Sequence, residues 1–222
     1  GLTAYESVIR AGVRPDDAVL VTGASGGVGS MAVQIARLRG ASRIVATAGS
    51  DKSARYLVTR LGIPLSHVVR YTGRSRADLA WEALQRNEGH PFRVAFDFVG
   101  GAMTSLCADV VDVDGQVVAI ATGPRDATHG EPDNDEDRLF DKSATVHFVL
   151  LSARAALGSP AEWGWYARRL EELGQWADAG VLRPPDIRNV GHLSVEAVRT
   201  AHRMLEEGHV QGKLVMSVGG QS

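Results

Sequence analysis

The sequence predicts an α/β fold built on a parallel, doubly wound sheet of about six strands. Short apolar runs alternate with segments in which apolar residues recur at helical spacing, as in chains whose strands are joined by helical crossovers. The early strand segments are almost continuously apolar, which is typical of strands buried on both faces. The first of them ends in a glycine cluster that leads directly into a helical pattern. Right-handed crossovers then predict the strand order 3-2-1-4-5-6.

The predicted elements follow one another along the whole chain. A short helix over residues 3–11 ends at Gly12, and Ser50 or Asp51 is expected to cap the helix that follows the second strand. Residues 122–143, which are rich in acidic side chains and contain two prolines, are predicted to form a solvated surface loop. The predicted strands are 18–22, 43–47, 67–71, 94–99, 116–121, 145–151, 188–193 and 213–218, and the later helices are 28–38, 51–61, 76–85, 103–111, 161–179 and 194–205.

The most informative segment is Thr22-Gly23-Ala24-Ser25-Gly26-Gly27-Val28-Gly29. Glycines between a strand and a helix let a ligand approach the backbone, and the unpaired N–H groups at a helix start bind anions. The pattern fits the dinucleotide-binding fingerprint of the Rossmann fold, with Ala24 where the first glycine usually stands. We expect a pyrophosphate on the N–H groups of Gly26, Gly27 and Val28, at the carboxyl ends of strands one and four. The alternative is a plain tight turn.

Composition excludes several functional classes. The 24 basic and 26 acidic residues nearly cancel, so neither nucleic acid nor an anionic membrane surface is predicted as a partner. No apolar run is long enough to cross a bilayer. The single cysteine, Cys107, excludes an internal disulfide and a cysteine-based zinc site, and it suits a reducing cytoplasm. The chain begins with Gly1 instead of Met, which indicates processing or a segment of a longer protein.

Several motifs occur in a fixed order along nearly the whole chain. Besides the glycine segment, they are Leu2-Thr3-Ala4-Tyr5, Thr47-Ala48-Gly49-Ser50, Asp97-Phe98-Val99-Gly100-Gly101, Ala201-His202 and His209-Val210-Gln211-Gly212-Lys213-Leu214-Val215. Together they resemble the cofactor-binding half of the medium-chain dehydrogenase/reductase superfamily, in its zinc-free quinone oxidoreductase (zeta-crystallin-like) branch. No metal site is expected, since the seven histidines show no ligand spacing.

The resemblance implies a dinucleotide-binding domain over residues 1–186 and a C-terminal strand-helix-strand over residues 187–222. In the family the C-terminal part packs on a GroES-like catalytic domain that precedes the Thr-Ala-Tyr helix, and we expect this chain to lack that domain. The implied activity is hydride transfer from NADPH to a quinone or an α,β-unsaturated carbonyl, and the catalytic residues are unknown. The implied cofactor contacts, besides the glycine segment through Gly29, are Ala48, Gly49, Val99, Gly100 and Lys213, with Thr122, Gly123, Leu150 and Leu151 near the nicotinamide.

The choice between NADH and NADPH depends on the end of strand two. NADH sites place a carboxylate there, whereas NADPH sites need room and positive charge for the 2′-phosphate. Here no acid occurs before Asp51, and the positions that hold the phosphate in the resembling family are Ser50, Lys52 and Tyr71. The chain is therefore predicted to prefer NADPH. The alternatives are a solvated lysine at a helix start and a tyrosine at a strand edge whose hydroxyl faces water.

Two other functions compete with this one. The glycine segment also fits short-chain dehydrogenases, but these need a Tyr-x-x-x-Lys pair for proton transfer, and no tyrosine here has a lysine four residues on. The second alternative, from a different class, is a non-catalytic NADP(H)-binding module or a subunit that works only with a partner chain.

The predicted sixth strand suggests how the chain associates. Residues 145–151 are mostly apolar and lie at the predicted edge of the sheet, where unpaired backbone groups recruit another strand. Members of the resembling branch pair this strand across a two-fold axis. We therefore expect a homodimer through Thr145-Leu151, the alternative being an edge that the acidic loop covers.

Overall fold

The computed structural model describes residues 1–121, 135–207, 210 and 212–219. Its centre is a parallel six-stranded sheet in the order β3-β2-β1-β4-β5-β6, with helices on both faces, so the predicted Rossmann-type α/β fold is confirmed. The strands are β1 (Ala18–Val21), β2 (Arg43–Ala48), β3 (Val68–Arg70), β4 (Phe92–Asp97), β5 (Val111–Ala119) and β6 (Thr145–Phe148). The helices are α1 (Leu2–Arg10), α2 (Gly29–Leu38), α3 (Asp51–Thr59), α4 (Arg76–Arg86), α5 (Ala102–Val110), α6 (Asp135–Asp141), α7 (Leu151–Leu157), α8 (Gly164–Asp178) and α9 (Val195–Glu206).

Strand β1 is the centre of the core because it pairs with β2 on one side and β4 on the other. Val19, Leu20 and Val21 are completely buried. Successive side chains of a strand point to opposite faces of the sheet. Accordingly, Val19 and Val21 belong to the core cluster on one face and Leu20 to the cluster on the other. The continuous apolar run predicted from the sequence is thus accounted for by burial on both faces.

The C-terminal part forms a second, smaller sheet. β7 (Ile187–His192) pairs in parallel with β8 (Lys213–Ser217), and α9 connects them. A single parallel bridge between Gly26 and Gly212 links this part to the glycine turn. None of the helices in the described part of the chain is long and apolar enough to span a membrane.

The sequence-based prediction was wrong in several segments. The fifth strand begins at Val111 and ends at Ala119 instead of spanning residues 116–121. The sixth strand ends at Phe148 instead of residue 151: its pairing with β5 reaches Ala119, the last residue of β5. The following Leu-Ser-Ala-Arg-Ala-Ala-Leu segment is rich in helix formers and folds as α7.

The predicted surface loop also contains a helix, α6. Its first turn holds three acidic residues, which interact favourably with the positive end of the helix dipole. Asp135 is buried, accepts a hydrogen bond from Ser105 Oγ at 3.0 Å, and pairs with Arg138. The acidic segment is therefore partly an internal packing element; the rest of the predicted loop, residues 122–134, lies outside the described residues.

Candidate cofactor-binding site

The glycine turn between β1 and α2 is packed too tightly for side chains at two positions. Gly23 has a φ of 60°, which L-residues with side chains rarely adopt. A Cβ at Gly29 would lie 2.3 Å from the carbonyl oxygen of Gly23 and 2.6 Å from the Cα of Ala24. Ala24 itself is buried and does not adopt a positive φ, which explains how alanine replaces the usual first glycine. Gly29 therefore sets the close approach of helix and strand.

The start of α2 presents hydrogen-bond donors to the crevice. The N–H of Gly26 donates to the carbonyl of Gly23 at 3.0 Å, so it is used within the turn. Among the described residues, the N–H groups of Gly27, Val28 and Gly29 donate no hydrogen bond to the backbone. Val28 is the N-cap and provides no side-chain cap. The N–H groups available to an anion are thus those of Gly27, Val28 and Gly29, whereas the sequence predicted those of Gly26, Gly27 and Val28.

Lys213 brings a positive charge to the same place. A Cβ at Gly27 would lie 2.9 Å from the Nζ of Lys213 and 2.4 Å from its Cε. The bridge between Gly26 and Gly212 holds the start of β8 against the turn. Three backbone donors, the helix dipole and an ammonium group converge here, which is the arrangement that binds phosphate groups in proteins.

The turn after β2 brings the predicted phosphate-binding residues close together. Gly49 lies against Tyr71, because a Cβ at Gly49 would be 2.4 Å from the Tyr71 hydroxyl. Ser50 caps α3 by accepting a hydrogen bond from the N–H of Ser53 at 3.1 Å, as predicted for a capping residue. Lys52 is exposed in the first turn of α3, and Ala48 is buried at the end of β2.

The residue that the sequence-based site prediction missed is Asp97. Its carboxylate is completely buried at the end of β4. Oδ1 accepts hydrogen bonds from the N–H groups of Val99 and Gly100 at 3.1 and 2.8 Å, and Oδ2 accepts one from Thr104 Oγ1 at 2.6 Å. A buried carboxylate needs such donors in place of water. Asp97 therefore fixes the loop that carries two of the predicted cofactor contacts.

This loop lies directly beside the glycine turn. Thr22 Oγ1 accepts a hydrogen bond from the N–H of Phe98 at 3.1 Å, and a Cβ at Gly23 would lie 2.9 Å from Cγ2 of Val99. The two rims of the crevice, at the ends of β1 and β4, are thus hydrogen-bonded to each other. The signal in the sequence that could have identified Asp97 is an acid that ends an apolar strand and is followed by Phe-Val-Gly-Gly.

Leu150 and Leu151 line a cavity of about 540 Å³ at the carboxyl end of β6. Its wall includes Trp165 and Tyr166, and the Tyr166 hydroxyl donates a hydrogen bond to the carbonyl of Leu151. Thr122 and Gly123, which are predicted to lie near the nicotinamide, are outside the described residues.

The titratable groups of the described residues do not form a metal site: no group of three or more His, Cys, Asp or Glu side chains is placed to hold an ion. Cys107 is completely buried in α5. Burial, reinforced by the charges of Asp97, Asp135 and Asp109, raises the pKa of its thiol well above the usual value. Since the thiolate is the reactive form, Cys107 is an inert core residue.

A family model described as zinc-binding dehydrogenase matches residues 64–216. The chain belongs to the medium-chain dehydrogenase/reductase superfamily. The predicted family is thereby confirmed for the cofactor-binding half. The description of the family model mentions zinc, and the described residues of this chain contain no cluster suited to a metal.

Relatives of known identity agree with this assignment. The chain is 32% identical over 224 residues to a phenolphthiocerol/phthiocerol polyketide synthase protein of Mycobacterium tuberculosis, covering 98% of this chain and 9% of that protein. It therefore corresponds to a small segment of this much larger relative.

Solved structures show the same fold over nearly the whole chain. An NAD-dependent alcohol dehydrogenase superposes with a TM-score of 0.76 at 28% identity, covering 98% of this chain and 56% of that one. The CurK enoyl reductase gives 0.73 at 27% identity, covering 98% and 60%. The quinone oxidoreductase of Coxiella burnetii gives 0.70 at 26% identity, covering 99% and 58%. The chain spans little more than half of each of these oxidoreductases.

Proposed function

We propose that this chain is the NADPH-binding part of an enoyl reductase. The observation that carries the proposal is the convergence of Lys213 with the N–H groups of Gly27, Val28 and Gly29 at the end of β1. A dinucleotide fits this crevice because its pyrophosphate needs backbone donors, positive charge and space without side chains, and all three occur together. When bound, NADPH supplies the hydride.

Each rim of the crevice has a separate role in holding the dinucleotide. The pyrophosphate lies on the start of α2 beneath Lys213. The adenosine 2′-phosphate lies at the turn after β2, near Ser50, Lys52 and Tyr71. The nicotinamide lies toward Thr122, Gly123, Leu150 and Leu151. Val99 and Gly100, which Asp97 holds in place, border the cofactor from β4.

The substrate we propose is an α,β-unsaturated acyl compound. The names of the similar proteins support this choice, since they include a polyketide synthase and an enoyl reductase, at 32% and 27% identity. A quinone is the second candidate, supported by the 26% identity to a quinone oxidoreductase. The GroES-like domain of the family would supply the rest of the substrate pocket and the proton donor.

We further propose that two copies associate through β6 in the cytoplasm. Among the described strands, β6 pairs only with β5, so its other edge has unpaired backbone groups. Phe148 and Leu150 are each 66% exposed beside this edge. Sedimentation at micromolar concentration with NADPH tests the association: we expect a dimer for the wild-type protein and a monomer for Phe148→Asp. A monomeric wild-type protein, or a variant that stays dimeric, would contradict it.

The test of the proposed function separates binding from turnover. Calorimetric titration of the chain with NADPH and NADH measures binding, and NADPH oxidation with an enoyl thioester or a quinone measures turnover, for the chain alone and within its full-length protein. We expect saturable NADPH binding that is lost in Lys213→Glu, together with enoyl reduction by the full-length protein. The matched control is Arg199→Glu, the same charge reversal at an exposed position of α9 in the same C-terminal part of the chain. Binding without turnover in any form would instead support a non-catalytic module, and an absence of binding would overturn the proposal.

A further inference from the structure

Arg70 and Asp51 form an ion pair beside the turn after β2. Arg70 is the last residue of β3 and Asp51 is the first residue of α3. The hydrogen bond runs from Nη1 of Arg70 to Oδ1 of Asp51. Both side chains reach solvent, with 41% of Arg70 and 78% of Asp51 exposed.

Arg70 and Tyr71 border this turn from opposite faces of the sheet. Consecutive residues of a strand point to opposite faces. Val68 packs in the cluster that contains Leu57 of α3, and Val69 packs in the other cluster, together with Tyr71. Arg70 therefore faces α3, while the Tyr71 hydroxyl reaches Gly49 from the other side. The turn that would hold the 2′-phosphate lies between these two side chains.

The pair with Asp51 leaves part of the guanidinium group unused. Its single hydrogen bond to the carboxylate involves Nη1. Nε is buried and has no hydrogen-bond partner among the described residues, so a ligand would meet the two Nη groups. Exposed ion pairs contribute little to stability because both charges remain hydrated. In contrast, the planar fork of arginine matches a phosphate dianion with two parallel hydrogen bonds. A phosphate would thus be a better partner for Arg70 than Asp51 is.

Ser50 contributes less to selectivity than its position suggests. Its hydroxyl already accepts a hydrogen bond from the N–H of Ser53 and contacts Ser53 Oγ at 3.1 Å. The positive charge that distinguishes a 2′-phosphate from a ribose hydroxyl must therefore come from other residues at this turn.

We propose that Arg70 is a specificity-determining residue for the 2′-phosphate, and that Asp51 is a competing partner that the phosphate displaces. The inference rests on the proposed function, since it requires that the chain bind a nicotinamide dinucleotide. The predicted phosphate-binding residues are Ser50, Lys52 and Tyr71. The inference adds Arg70, a cation on the face of the sheet opposite Tyr71, and Asp51, an acid that weakens NADPH binding.

The test is a double-mutant cycle read as the ratio of NADPH to NADH affinity. Titration calorimetry would compare the wild-type protein with Arg70→Gln, Asp51→Asn and the double variant. We expect Arg70→Gln to weaken NADPH about tenfold or more and NADH less than about twofold, because only NADPH loses a charge-assisted contact. Asp51→Asn should strengthen NADPH a few-fold, and the double variant should resemble Arg70→Gln.

Controls separate this inference from the proposed function. Arg60→Gln removes a comparably exposed arginine, which pairs with Asp186, and it should leave the ratio unchanged; thermal unfolding checks that each variant folds. A wild-type protein that binds neither nucleotide would overturn the proposed function. Normal NADPH binding with an unchanged ratio in Arg70→Gln would overturn only the role of Arg70. Weaker NADH binding in Asp51→Asn would show that Asp51 holds the ribose hydroxyls and would overturn its role as a competitor.

Discussion

The six-stranded sheet and the C-terminal β7-α9-β8 segment use apolar residues in opposite ways. In the sheet, Leu20 and Phe96 are completely buried between helices on both faces. In the C-terminal segment, Ile187, Leu193 and Val195 are 65%, 56% and 70% exposed. Both regions contain parallel strands with a connecting helix, so secondary structure alone does not account for the difference.

The difference shows that the two regions contribute to different properties of the protein. Burial of apolar surface is the main favourable term in folding, so the sheet carries most of the stability. The C-terminal segment touches the sheet through the Gly26–Gly212 bridge, the Arg60–Asp186 pair and Lys213. It therefore adds a charged group to the cofactor crevice and little to the core.

Thiol labelling should give the largest difference between the two regions. Cys107 in the sheet region is buried and its pKa is raised by burial, so it should react only when the region opens. Stable domains open globally with a free energy of at least ~5 kcal/mol, which slows labelling on the order of a thousandfold. We expect a cysteine at position 195, in the Cys107→Ala/Val195→Cys variant, to react almost as fast as a free thiol. Fast labelling of Cys107 in the wild-type protein would contradict this division.

Truncation of matched leucines should give the next largest effect. Leu20→Ala removes a completely buried side chain, and we expect a loss of about 2–5 kcal/mol in the free energy of unfolding. Leu193→Ala, at a half-exposed position of the C-terminal segment, should stay within ~0.5 kcal/mol of the wild-type value. Urea denaturation measures both. Equal losses would show that the C-terminal segment also carries a core.

Substitutions at Gly29 and Gly26 should differ in their effect, because the space around these two glycines of the turn differs. Gly29→Ala places a Cβ 2.3 Å from backbone, so we expect a loss of about 1–3 kcal/mol and much weaker NADPH binding. At Gly26 the nearest atom would be 3.2 Å away, and Gly26→Ala should be accommodated with a smaller loss. Gly174→Ala in α8, where a Cβ would meet nothing within 4 Å, is the control. If Gly29→Ala unfolds no earlier than Gly174→Ala, the close approach of helix and strand is not needed.

The smallest effect concerns the pH dependence of stability at the edge of the sheet. Burial, followed by the charge of Arg10, lowers the pKa of His147 from its ordinary value of 6.5. The unfolded chain therefore binds the proton more tightly, so stability is lost as the pH falls below the unfolded value. His147→Gln, which can still donate to the side chain of Gln116, its partner at 2.7 Å, should lose less stability than the wild-type protein between about pH 7 and pH 5. Identical pH profiles would show that His147 does not contribute.

The sequence by itself determined the fold and the position of the cofactor crevice. β1 could be predicted because its residues are apolar without interruption and end in glycines, and the Ser50 cap could be predicted because it is a contact between near neighbours. The strand order followed from the alternation of elements, since right-handed crossovers leave few topologies open. These signals depend on residues that are close together in sequence, so they can be recognised without knowing how the rest of the chain packs.

Only the tertiary structure decided which side chains meet at the crevice. The contacts of Lys213 with Gly27, of Tyr71 with Gly49 and of Arg70 with Asp51 join residues that are distant in sequence. The end of β6 and the acidic helix α6 were mispredicted for the same reason. A strand stops where its neighbour offers no further backbone partners, and an acid such as Asp135 becomes buried where Ser105 and Arg138 satisfy it. Such contacts depend on how the chain packs, so periodicity and composition along the sequence do not reveal them.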